Sequence, residues 1–181
     1  MRKLSQSAGF SLIELMITIS VGAILVALAA PSFTTLIQNS RMSAKKNEFV
    51  NALNFARTTA LAKNANIKVC PFSTAGSATC GASWSNGWIV ETQPATGPAT
   101  LIKSYQSGPK DPALSAVAFN AVVATSLIFD PIGLSTTQSN FQMCDVRGSN
   151  YAASLQILLT GFIQSGPTSG QAIWGGALNC P

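Results

Sequence analysis

Hydrophobic and polar positions divide the chain into three regimes. From Leu15 to Ala30 the residues are almost all apolar, and with Phe10 to Ile13 the run approaches the length of a bilayer span. One charge, Glu14, falls inside it. A carboxylate in a membrane helix costs up to about 2.5–3.5 kcal/mol on insertion scales, so Glu14 calls for a partner. From Ser32 to Asn64 the residues are mostly helix-tolerant and no glycine occurs. At about 100° per residue, Phe49, Leu53, Ala56 and Ala60 share an arc of about 60°, a narrow stripe suited to lying across a sheet. Pro31, between the two stretches, is expected to kink the helix, because it removes a backbone donor and clashes with the preceding turn.

Beyond Asn64 the pattern changes to short strands at 67–70, 87–91, 100–105, 126–129, 140–145 and 154–159. Turns rich in Gly, Pro, Ser and Thr separate them, which indicates antiparallel meanders rather than βαβ units. Residues 75–85 and 93–99 read as loops. The expected architecture is α+β: a long N-terminal α-helix, membrane-spanning in its first half, packed on an antiparallel β-sheet domain with two disulfides.

Composition narrows the chemistry. The 181 residues suffice for one domain and a membrane segment. There is no histidine, which excludes Ser-His and Cys-His catalysis and removes the commonest zinc ligand. Six carboxylates remain, and none forms a close pair in sequence, so the chain does not read as an enzyme. No cofactor or metal is implied. Cys70, Cys80, Cys144 and Cys180 all follow the apolar segment, an even count that allows three connectivities. The pairing Cys70–Cys80 with Cys144–Cys180 is favoured, and closing those loops stabilises the domain by about 3 and about 4 kcal/mol on a chain-entropy argument. Disulfides place the domain in an oxidising compartment.

The formal charge is +5; without Arg2 and Lys3 the chain keeps nine basic and six acidic residues, or +3. Arg41, Lys45 and Lys63 flank the helical stripe on one side, Lys46 and Arg57 on the other. They read as a solvated helix flank with Glu48 in local compensation, and as a DNA-contacting surface only in the disfavoured alternative. Trp84 and Trp88 read as buried indoles beside a disulfide loop rather than a base-stacking platform.

The string Gly9-Phe10-Ser11-Leu12-Ile13-Glu14-Leu15, behind a short basic leader, resembles the signal of type IV pilins and type II secretion pseudopilins. That resemblance implies cleavage by prepilin peptidase between Gly9 and Phe10, N-methylation of Phe10, and pairing of Glu14 with the terminal amine of a neighbouring subunit. Position i+4 lies over position i on one helix face, so Glu14 and the Phe10 amine are also neighbours. The alternative is an ordinary secretory signal, with Met1-Arg2-Lys3 as its basic region and cleavage near Ala27-Leu28-Ala29, releasing a disulfide-bonded domain. Glu14 and the length of the apolar run oppose it.

The soluble part is similar to the GspH/FimT group within that superfamily. The residues that carry the similarity are Val69-Cys70-Pro71-Phe72-Ser73, Cys80, Trp84-Ser85-Asn86-Gly87-Trp88, Phe129-Asp130-Pro131-Ile132-Gly133 and Met143-Cys144-Asp145-Val146-Arg147-Gly148. DNA-binding members carry Gly-Arg-x-Arg on a late strand, where this chain has Gly161-Phe162-Ile163-Gln164, and residues 148–181 contain no basic residue. Counterion release by Lys and Arg drives sequence-independent DNA binding, so the departure weakens a DNA role.

The resemblance implies a leader at 1–9, a transmembrane and filament-core helix at 10–31, its amphipathic continuation at 32–64 and a periplasmic β domain at 65–181. The expected function is that of a non-catalytic minor pilin or pseudopilin, FimU-like or GspH-like, in a priming or tip complex. Its partners would be other minor and major pilins, the prepilin peptidase and the inner-membrane assembly platform. The chain would sit as a single-pass protein in the bacterial inner membrane before entering a filament.

Overall fold

The computed structural model describes residues 9–74, 78–166 and 169–180. Most of the expected leader (residues 1–8), together with residues 75–77, 167–168 and Pro181, lies outside the described residues. The chain divides into two compact units, Met1–Asn39 and Ser40–Pro181.

One helix, α1 (Leu12–Lys63), runs through both stretches that the sequence pattern marks as helical. It is helical through position 31. In its first half the large side chains, among them Leu15, Ile17, Ile24, Leu28 and Phe33, are exposed. By length and composition α1 is able to cross a membrane. The helix stops where Asn64 adopts a left-handed conformation (φ 49°), and the Ala65 N–H bonds back to the Ala60 carbonyl at 3.2 Å. Asparagine tolerates that conformation, and the bond satisfies a carbonyl orphaned at the helix end.

The second unit holds two four-stranded antiparallel sheets. The first has strands β1 (Ile67–Pro71), β2 (Gly87–Thr92), β3 (Leu101–Gln106) and β5 (Leu127–Phe129) in the order β3-β2-β1-β5. The second has β4 (Ala113–Val117), β6 (Ser139–Cys144), β7 (Ala153–Ile157) and β8 (Ile163–Ser165) in the order β4-β6-β7-β8. All six strands expected from the pattern are present, within two residues at either end. Strands β4 and β8 were not anticipated. Ala-Leu-Ser-Ala-Val is poor in the branched and aromatic residues that mark strands, and β8 has only three residues. The expected antiparallel β domain is built of two sheets.

Both sheets bury the same helical stripe. Phe49, Leu53, Ala56 and Ala60 are fully buried, in one core with Val69, Trp88 and Val90 of the first sheet and Leu114, Phe141, Met143 and Leu155 of the second. Phe49 packs edge-on against Trp88 (4.8 Å between ring centroids), Phe141 (5.1 Å) and Trp84 (5.8 Å). Such pairs add about 0.5–1.5 kcal/mol each beyond area burial. Trp84 sits in a single 3-10 turn, Trp84–Asn86, within the segment expected to be loop, and its indole N–H donates to the Ala124 carbonyl at 2.9 Å. Both indoles are buried, as the structural reading of the two tryptophans expects.

The disulfides join Cys70 to Cys80 and Cys144 to Cys180, with Cα separations of 5.5 and 5.7 Å. The first ties the 75–85 loop to β1; the second holds the C-terminal segment against the end of β6.

Replacing Phe49 with Ala removes the ring that meets both sheets. Denaturant unfolding of Phe49→Ala is expected to show a loss of about 3–5 kcal/mol. A loss under about 1 kcal/mol would contradict this account of the core.

Candidate assembly site

The N-terminal segment is open. A Cβ on Gly9 would meet no atom of the described residues within 4 Å, and Phe10 is 75% exposed. Ser11 precedes the first helical residue, and its Oγ accepts the Glu14 N–H at 3.2 Å while its carbonyl accepts the Leu15 N–H. Ser11 is therefore the N-cap, and Ser11-Leu12-Ile13-Glu14 has the S-x-x-E spacing of a capping box. The sequence reading passed over Ser11, although that spacing was there to find it. Glu14 stands exposed in the first turn, where a carboxylate meets the positive end of the helix dipole. From Leu15 to Ser40 no charge follows.

The five basic residues along the second half of α1 do not form one surface. Lys45 is 4% exposed; its ammonium contacts Glu48 at 2.7 Å and Asp111 at 3.6 Å and lies 4.6 Å from the Trp88 ring centroid. Arg41 shares with Lys45, Ala44, Glu48 and Asp111 an open cavity of about 320 Å³. Arg57, twelve residues beyond Lys45 and hence about 18 Å along the axis, is half-buried and bonds to backbone carbonyls. Its Nε donates to the Gly133 carbonyl at 2.9 Å and its Nη2 to the Thr160 carbonyl at 3.1 Å. Lys46 is half-buried, while Arg41 and Lys63 are exposed. Lys45 and Arg57 are therefore structural cations, where a solvated flank was expected.

Arg57 joins two tight turns. In one, the Asp130 carboxylate accepts the N–H groups of Ile132 and Leu134, and the Gly133 N–H donates to the Asp130 carbonyl. In the other, the Gly161 N–H donates to the Leu158 carbonyl. Gly161 has φ +72°, and a Cβ there would fall 2.1 Å from the Gly133 oxygen, so the close approach of the turns demands glycine. The side chain presented beside Gly161 is Phe162, exposed.

Two further charge pairs are internal to the β domain. Lys68 and Glu91 face each other across β1 and β2 and pair at 2.6 Å, with Glu91 buried. Glu91 also lies 3.2 Å from the Cys80 sulfur. Both cysteines are oxidised, so this cluster offers a metal no thiolate. The second pair is Asp145 and Arg147, directly after Cys144. Burial would raise the Asp145 carboxyl, but hydrogen bonds from the Arg147 side chain and backbone, with its charge, outweigh that and hold it below the ordinary carboxylate value. The Arg147 guanidinium lies 4.3 Å from the Tyr151 ring centroid.

Residues 46–161 match the family described as Type II transport protein GspH, and residues 4–30 match the prokaryotic N-terminal methylation motif. Among solved structures, the type IV minor pilin FimU of Pseudomonas aeruginosa strain PAO1 shares the fold in two crystal forms. The P21 form superposes with a TM-score of 0.56 at 18% identity, covering 71% of this chain and 90% of that one. For the P65 form the values are 0.54 and 18%, with 69% and 92% covered. No curated protein sequence matches.

A group whose folded-state pKa is lowered stabilises the fold above its unfolded pKa, about 3.9 for Asp. That contribution is lost as the pH falls through the folded value. Asp145→Asn is thus expected to melt below the wild type at neutral pH, and the gap to narrow as the pH drops beneath about 4. A gap that widens in acid would refute the assignment.

Proposed function

The chain belongs to the GspH family and carries the N-terminal methylation motif, and from this we propose that it is a non-catalytic minor pilin or pseudopilin of the priming or tip complex of a filament. The observation that carries the reading is Glu14 at the head of a long helix whose following stretch, Leu15 to Ser40, is uncharged and mostly exposed. Prepilin peptidase cuts between Gly9 and Phe10, and the exposed junction suits access by a protease. Residues 10–31 hold the precursor in the inner membrane with the disulfide-bonded domain in the periplasm. On assembly the same helix passes from lipid into the apolar filament interior, among other pilins delivered by the membrane platform. There Glu14 neutralises the methylated Phe10 amine of a neighbour. Both charges are buried, so each requires the other.

Catalysis has no part in this role: the protein acts by what it packs against. The DNA-receptor alternative is left with Arg41, Lys46 and Lys63, because Lys45 and Arg57 bond within the domain. We therefore do not adopt it.

Intact mass of the filament-borne protein is expected to match a chain starting at Phe10 and carrying one methyl group. A start after Ala29 would instead make it a secreted domain. Glu14→Ala should lower incorporation at least about tenfold, since an unpaired buried charge costs about 3–5 kcal/mol. Normal incorporation of that variant would sink the pairing scheme. A clean deletion, scored together for surface pili and type II secretion, separates the two systems: whichever is lost is the one this subunit serves.

A further inference from the structure

The end of the domain at the last turns of α1 carries a group of exposed apolar side chains. Leu61 comes from α1, Ile132 and Leu134 from the first turn clamped by Arg57, and Leu159 and Phe162 from the second. Their backbones are locked together. Arg57 bridges the two turns, the Ser135 N–H donates to the Leu159 carbonyl at 2.9 Å, and a Cβ on Gly133 would lie 3.4 Å from both Leu61 methyl carbons. Ile132 is 70% exposed and Phe162 56%. Grouped apolar side chains on a rigid surface mark an interaction site more often than scattered ones do.

The charge pattern selects the partner. Arg57 and Asp130 are the ionisable groups within the two turns and the helical face that joins them. Both are engaged, Arg57 by the carbonyls of Gly133 and Thr160, Asp130 by the N–H groups of Ile132 and Leu134. Lys63 is exposed in the same helical turn, and no basic residue follows from 148 to the end of the chain. Such a surface has little to offer phosphates or an acidic peptide. It suits an uncharged apolar partner. This chain displays that chemistry itself in Ile24, Leu25, Leu28, Phe33 and Leu36, exposed on a helix without charge from Leu15 to Ser40. Filament partners bring equivalent helices, which need apolar cover once they leave lipid.

We propose that the platform of Leu61, Ile132, Leu134, Leu159 and Phe162 receives the uncharged N-terminal helix of a neighbouring pilin subunit. The contact is heterologous, joining one surface to a different one, as a filament that does not close into a ring requires. The proposal rests on the reading that the chain is built into a filament, and it names a surface which that reading leaves open.

The test uses the full chain in cells, with a benzophenone-bearing phenylalanine placed at position 162 and, as a control, at the 93% exposed Val146. Photolysis of the assembled fraction is expected to join position 162 to a peptide from the apolar helix of a pilin subunit, at a yield well above that of the control. Crosslinks from 162 confined to globular-domain peptides or to nucleic acid, or no more abundant than from 146, overturn the proposal. Phe162→Asp, checked for wild-type melting, should reduce incorporation about tenfold, the scale of losing an interface anchor. Incorporation above half the wild-type level at unchanged melting also overturns it. A subunit cut after Gly9 and recovered in filaments, yet without helix crosslinks, fails this proposal alone and leaves the reading of the chain as a pilin standing.

Discussion

The fold depends on one contact, the ring of Phe49 against aromatic side chains from both sheets. Trp88 belongs to β2 and Phe141 to β6, so a single helical residue bonds two sheets that share no ladder. Trp84 closes the group, lying 5.0 Å from Phe141 as well as against Phe49. Without that meeting point each sheet would present an uncovered apolar face. The small residues Ala52, Ala56 and Ala60 let the backbone of α1 come close to the strands, while Phe49 and Leu53 fill the wider space. The cluster leaves one polar atom unsatisfied, the Trp88 indole nitrogen. The Trp88 ring also lies 4.6 Å from the Lys45 ammonium and stacks on Tyr105 at 5.8 Å.

Cations that would otherwise make α1 a polyanion-binding surface instead fasten the helix to the sheets. Lys45 reaches Asp111 in the β3–β4 connection, and Arg57 reaches the two turns at 130–134 and 158–162. Arginine suits the second place because its planar fork donates to two carbonyls at once. The turns in consequence converge on a point where only glycine fits, at Gly161. What faces outward there is hydrocarbon. A surface that loses its charge to internal bonds gains the rigidity that protein docking needs, and this links the packing of α1 to the choice of partner.

Much of this was legible in the chain. The buried stripe from Phe49 to Ala60 followed from helical spacing, and the strand positions from alternating patches set between turn residues. The split into two sheets was not legible, because strand order depends on contacts among residues far apart in sequence. β4 was hidden by its alanines, whose strand conformation comes from pairing with β6 rather than from propensity. The fate of the cations was hidden too. Periodicity puts Lys45 and Arg57 on the flanks of the stripe, where solvent is the default. Only the approach of Asp111 allows Lys45 to be buried, and only two distant carbonyls hold Arg57 against the domain. Ser11 differs from these cases, since its capping role is local and the spacing Ser11 to Glu14 already contained it.

Glu14 shows why processing and assembly belong together in the proposed role. In the first turn of a helix a carboxylate gains about 0.3–1 kcal/mol from the helix dipole. That is less than the roughly 2.5–3.5 kcal/mol that the same group can cost inside a membrane. In the proposed role local capping does not offset that cost, and the scheme calls for a full positive charge nearby. In the uncut chain the Phe10 nitrogen is an amide and carries none. In that role cleavage after Gly9 would create an ammonium four residues before Glu14, and methylation would leave a secondary amine that still binds a proton. The cut would change an isolated anion into one half of a pair, with lateral packing of subunits deciding whose amine completes it. A precursor that kept its leader would keep an unpaired carboxylate as well, so the energetics of an apolar filament interior would themselves discriminate against unprocessed subunits.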